Sequence, residues 1–169
     1  RIRPLAVAVT ALVEREHPVV HGEGARHEIE PVGVRRAAVQ ALYQWQLTEQ
    51  APREIEAHFI LDHEMNDVDL DYFHHLVREI PLHLHELDDH ISPHLDRKLN
   101  DVDPVELACL RIGTYEFEFH PEIPYKVILN EAVELAKTFG AEHGHKYVNA
   151  ILDKVAGKLR AAEIGRKAS

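Results

Sequence analysis

The residues with the most chemistry to offer are histidines and carboxylates. Fourteen histidines occur in the chain, and the stretch HELDDH sets His85, Glu86 and His90 close together. A helical zinc protease site needs two histidines four residues apart, so that both rings share one face, with the glutamate following the first. Here the spacing is HExxxH, one residue too long. His90 and His94 have the right separation, but Ser92 and Pro93 lie between them and break the helix. His83, His85 and His90 therefore read as a solvated helix face, and neither a metal nor a cofactor is expected.

Other catalytic signatures are lacking in the sequence. There is no Gly-rich phosphate loop and no serine or cysteine nucleophile motif, and Asp88/Asp89 has the look of charged surface. The single cysteine, Cys109, stands in an apolar setting, unsuited to nucleophilic use. It also excludes a disulfide framework and a cysteine zinc site, and points to a reducing, cytoplasmic compartment. An enzyme is not expected.

The formal charge of −10 has the wrong sign for binding nucleic acid by bulk electrostatics, so any such contact must be local or helped by a basic partner. Protonating all fourteen histidines would take −10 to +4, so acid should alter the surface strongly. No run approaches the roughly 18 apolar residues of a membrane span.

Contact chemistry is more promising than catalysis. In AVQALYQWQL, Tyr43 and Trp45 stand two positions apart, which on a helix turns them in nearly opposite directions. Trp45 shares the face of Val34, Ala38, Ala41 and Leu42 and reads as core. Tyr43 lies with Arg36, Gln40 and Leu47, and tyrosine and arginine are the types enriched where partners dock. Periodicity alone leaves open that Tyr43 and Leu47 simply cover another helix.

The elements that would carry these side chains are all helical. Residues 1–33 mix Gly, Pro, His and Glu without a sustained period and read as an extension or linker. From Val34 a 3.6-residue period persists: a first helix; a second opened by Pro52 with Ile55 and Phe59 inward; and a third from about Asp69 to Ile91, kinked or broken at Pro81. Ser92 is the expected N-cap of a short helix over SPHLDRKL. Asp103, Pro104 and Glu106 give a strong start signal, with capping-box spacing, to a helix apolar on most sides and therefore central. Val127 to Phe139 forms an amphipathic helix ended by Gly140, and a last helix carries Val148, Ile151, Leu152, Val155 and Leu159. Asn130 and Asn149, among apolar neighbours, are expected to hydrogen-bond between helices. The fold class is all-α, a compact bundle of about six or seven helices, with residues 34–160 as the domain and 161–169 as a tail.

Three blocks, RRAAVQALYQWQL, ELACLRIGTYEF and IPYKVILNEAVELAKTFGAEHGHKYVNAILDKVA, closely resemble the bacterial NusB family of transcription antitermination factors. The resemblance spans about residues 34–160. It implies an all-helical, non-enzymatic protein that pairs with NusE, a small basic ribosomal protein, and binds boxA RNA. Such a complex helps RNA polymerase read through terminators, notably in ribosomal RNA operons. A basic partner would supply the phosphate neutralisation that this acidic chain lacks.

Residue by residue, the resemblance places Tyr43 of the ALY motif, with Leu47 and Glu106, on the surface that meets NusE. The capping box accounts for Glu106 independently. RNA contact is implied for Arg35, Arg36 and Gln40, and for His143, Lys146 and Tyr147 of AEHGHKYVN, where an aromatic face could stack an unpaired base. Glu28, Glu30, Pro31 and Val32 stand where family members often carry more arginine, which weighs against strong RNA binding by this chain alone. His143 and Gly144 stand where relatives often have aspartate and serine. Two other classes compete. One is a helical interaction module without specific RNA binding, self-associating as a homodimer through the Tyr43 face. The other is the NusB-like domain of an RNA cytosine methyltransferase, which would require a downstream α/β domain whose pattern does not occur before Ser169.

Overall fold

The computed structural model describes residues 31–48, 50–63, 65 and 68–167. The expected extension lies outside these residues except for positions 31–33, with which the first helix begins. Among the described residues the apolar periodicity produces eight α-helices: α1 (Pro31–Leu47), α2 (Pro52–Asp62), α3 (Leu70–Leu82), α4 (Leu84–Ile91), α5 (Pro104–Phe119), α6 (Tyr125–Phe139), α7 (Gly144–Leu159) and α8 (Ala161–Lys167). Two 3-10 turns, Ser92–His94 and Leu99–Asp101, link α4 to α5.

Helix α5 is the axis, because its sequence is apolar around most of its circumference. Every residue from Val105 to Phe117 is buried, and α1, α4, α6 and α7 all pack against it. Gly113 permits the close crossing of α7, since a Cβ there would stand 2.8 Å from Cδ1 of Leu152. Asp103 caps the helix as its sequence predicts, accepting from the amides of Val105 at 2.9 Å and Glu106 at 3.3 Å. Such a cap is worth about 1 kcal/mol.

The far end of α5 is closed by Arg160, which no local sequence signal marks. Its guanidinium donates to the carbonyls of Phe117 at 2.6 Å, Glu116 at 3.2 Å, His120 at 2.8 Å and Ile123 at 3.0 Å. A cation at the carbonyl end of a helix also opposes the helix dipole favourably. Arg160 pairs with Glu163 on α8 at 2.7 Å. Within the segment expected as a tail, Ala161–Lys167 forms the short helix α8.

Several local expectations are corrected. The break associated with Pro81 falls at His83, so α3 runs on through Leu82 before α4 begins. A proline in the last turn sacrifices only one late amide, and the helix completes that turn before stopping. Ser92 is not an N-cap: its hydroxyl donates back to the Asp88 carbonyl at 2.6 Å, and Ile91 occupies the cap position. Asn130 and Asn149 are exposed, so the internal hydrogen bonds expected of them are not made. Trp45 is only partly buried against the core, with Arg111 5.9 Å from its ring centre.

Candidate partner and RNA interface

Three segments meet at the N-terminal end of α5: the second half of α1, the loop before α5, and the turn opening α7. Tyr43 sits half-buried on α1, and burial followed by the nearby Asp103 carboxylate pushes its phenol above the ordinary range. Leu47, one turn on, is 39% exposed. Together they present an apolar-aromatic edge beside the acidic start of α5.

Glu106 is 7% exposed, unusually little for a carboxylate with no ion pair among the described residues. Burial chiefly, and then Asp103, pushes its carboxyl up, while Arg97 opposes the shift. Its neighbour across the helix junction is Gly144, where a Cβ would come within 2.5 Å of Oε1. This requirement for space, together with the turn before it, shapes the start of α7. His143 takes a left-handed backbone (φ 70°), a conformation that costs a non-glycine residue free energy. His143 and Lys146 are exposed at this turn.

Tyr147 is half-buried, and its hydroxyl donates to Asp96 at 3.2 Å. The Arg97 guanidinium lies 4.6 Å from its ring centre, and a cation over an aromatic face is an attractive arrangement. Arg97 also grips Asp96 through Nε at 2.7 Å, which holds the Asp96 carboxyl below its usual range. Arg97 and Asp96 were missed in the sequence because they lie in an irregular loop, Asp96 reaching Tyr147 from 51 positions away.

The arginines at the start of α1 have different fates. Arg36 is exposed, whereas Arg35 is 2% exposed and faces away from solvent. Its Nε donates to both carboxylate oxygens of Glu116, at 2.9 and 3.2 Å, and the Tyr72 hydroxyl donates to the same carboxylate at 2.5 Å. The expectation that Arg35 touches RNA is therefore replaced by a core ion pair. Gln40 is also buried, at 9% exposure. Its amide donates to the Arg36 carbonyl at 3.4 Å.

A second buried arginine borders the Leu47 edge. Arg111 holds Asp88 through two bonds of 2.9 Å and donates to Gln46 at 2.8 Å, while Gln46 donates to the Pro104 carbonyl at 2.7 Å. This chain ties α1, α4 and the start of α5 together beneath a shallow cavity of about 390 Å³. Cys109 is fully buried, and burial pushes its thiol up, so it has no nucleophilic character. No described helix is long and apolar enough to cross a membrane.

Fold and surface define an all-helical docking protein, with an aromatic, acidic and locally basic strip around the start of its central helix. The chain belongs to the NusB family, whose model matches residues 33–157. The transcription antitermination protein NusB of Nitrosococcus oceani is 55% identical over 134 residues, covering 79% of this chain and 90% of that protein. The corresponding protein of Nitrosospira multiformis is 50% identical over 133 residues, covering 79% and 84%. Among solved structures, T. maritima NusB superposes with a TM-score of 0.69 at 29% identity, covering 79% of this chain and 94% of that one. A complex of the antitermination factors NusB and NusE with dsRNA gives 0.67 at 26% identity, covering 76% and 97%.

Proposed function

We propose that this protein is a cytoplasmic transcription antitermination factor that binds boxA RNA together with NusE and promotes read-through by RNA polymerase, notably in ribosomal RNA operons. It works as an adaptor rather than an enzyme. Tyr43, Leu47 and Glu106 receive NusE; Arg36, Lys146, Tyr147 and His143 contact RNA, with Arg97 beside them. Residues 34–160 carry both tasks.

The observation that supports this division most directly is the contact between Glu106 and Gly144. It sets the proposed partner residue of α5 against the turn of α7 that carries proposed RNA residues. NusE docked on the first half then lies next to the RNA on the second. The charge of −10 fits the same arrangement, since few cations of this chain reach the surface there and NusE brings its own. Isothermal titration of NusE into the protein tests the reading. A one-to-one complex that the Glu106→Lys substitution weakens is expected. No heat and no complex at micromolar concentrations would refute it.

A further inference from the structure

We propose that Glu86, His90 and Glu118 form a binding site for a zinc-type divalent cation that ties α4 to the C-terminal end of α5. One ligand atom from each residue lies within 4.8 Å of the others. Nε2 of His90 stands 3.4 and 3.3 Å from the two oxygens of Glu118. Tetrahedral zinc with nitrogen and oxygen ligands at about 2.0–2.2 Å separates those ligands by about 3.3–3.6 Å. The His90–Glu118 pair already has that spacing.

The two carboxylates add charge to this spacing. A ligand oxygen of Glu86 lies within the same 4.8 Å of Glu118 and His90, so two acids and one imidazole face a common point. Oε2 of Glu118 is buried and, apart from the contact with His90, receives no hydrogen bond from the described residues. His83 holds Glu86 from the other side, its Nδ1 3.3 Å from Oε2, as ligating carboxylates are commonly held. The group borders an open pocket of about 490 Å³, which gives a cation a path in and leaves room for a water as fourth ligand. One imidazole with two carboxylates suits zinc and its neighbours, whereas magnesium and calcium favour oxygen alone.

Sequence spacing could not disclose this group. The HELDDH stretch lacks a protease pattern, and the third ligand comes from another helix 28 positions beyond His90. Nor are the histidines a uniformly solvated face: side-chain exposure is 96% at His85 but 32% at His83 and 31% at His90. Glu118 lies twelve residues along α5 from Glu106, about 18 Å, so this site is separate from the proposed NusE surface.

The test is calorimetric titration of ZnCl2 into metal-free protein carrying no polyhistidine tag, with MgCl2 and CaCl2 in parallel. One tight zinc equivalent is expected, weakened about tenfold or more in His90→Gln and Glu118→Gln and retained in His85→Gln, with helicity checked by circular dichroism. Glu86→Gln, at a more exposed position, repeats the test without disturbing packing around Glu118. Absence of zinc binding, equal binding of magnesium, or unchanged affinity in the ligand variants would overturn the site.

Discussion

A methyl group placed on Gly144 would stand 2.5 Å from Oε1 of Glu106. The start of α7 and the first turn of α5 are thus fitted to each other through one absent side chain. The contact is with the far end of a flexible glutamate, which can swing aside, and alanine favours a helix more than glycine does. Gly144→Ala should therefore change stability by no more than about 1 kcal/mol. Displacing Glu106 should nevertheless weaken NusE binding by about 1 kcal/mol, roughly fivefold. Thermal unfolding and calorimetry on the same preparation separate the two effects.

Tyr43 lies close to Asp103 and is half-buried. Tyr43→Asp removes the aromatic contact and adds a like charge beside that carboxylate. NusE affinity should fall by about 2 kcal/mol, roughly thirtyfold, as for a buried interface aromatic. Stability should fall by only about 1 kcal/mol, with helicity kept. Collapse of the fold with NusE affinity intact would show that Tyr43 serves packing alone.

Arg35 and Arg36 should behave oppositely although they are neighbours. Arg35→Ala strands the Glu116 carboxylate in the core and should cost about 3–5 kcal/mol of stability. Arg36→Ala should leave stability within about 0.5 kcal/mol and weaken RNA binding in the presence of NusE. Urea unfolding and RNA titration of both variants give the comparison.

Acid should destabilise the fold through His75 and His94. Burial is the main force lowering both, helped by His120 at His75, where Glu79 opposes it, and by Lys158 and Lys154 at His94. Nε2 of His75 sits 2.8 Å from the Tyr115 hydroxyl oxygen and 3.2 Å from Nε2 of His120, a pair that one added proton disrupts. A histidine held below its unfolded value of 6.5 is neutral in both states above that pH, and its contribution is lost as pH falls below it. The melting temperature should drop from pH 7.5 to 5.5. His75→Gln should flatten that drop, although Glu106, whose carboxyl is raised, works in the opposite direction.

Elements whose causes are local were readable in the sequence. Apolar spacing located α5, α6 and α7, and Asp103 announced its own cap. Gly140 does end α6, but through a close approach rather than a left-handed turn: a Cβ there would meet the Ala136 carbonyl at 2.5 Å. What escaped depends on distant partners. Arg35 finds Glu116 across 81 positions, and Arg160 closes a helix that ended 41 residues earlier. An arginine has the same letter on a surface or in a core; only the fold decides which carboxylate it meets. Asn130 and Asn149 failed the other way, because apolar neighbours in sequence lie on the opposite helix face.

The central claim is that RNA affinity arises from the joint surface with NusE. Fluorescence anisotropy of a labelled boxA RNA and a scrambled control, with this protein alone and then with NusE at near-physiological salt, addresses it most directly. Weak, unselective binding alone should become tight and boxA-selective when NusE is added. Equal affinity for both RNAs in the presence of NusE would contradict the account.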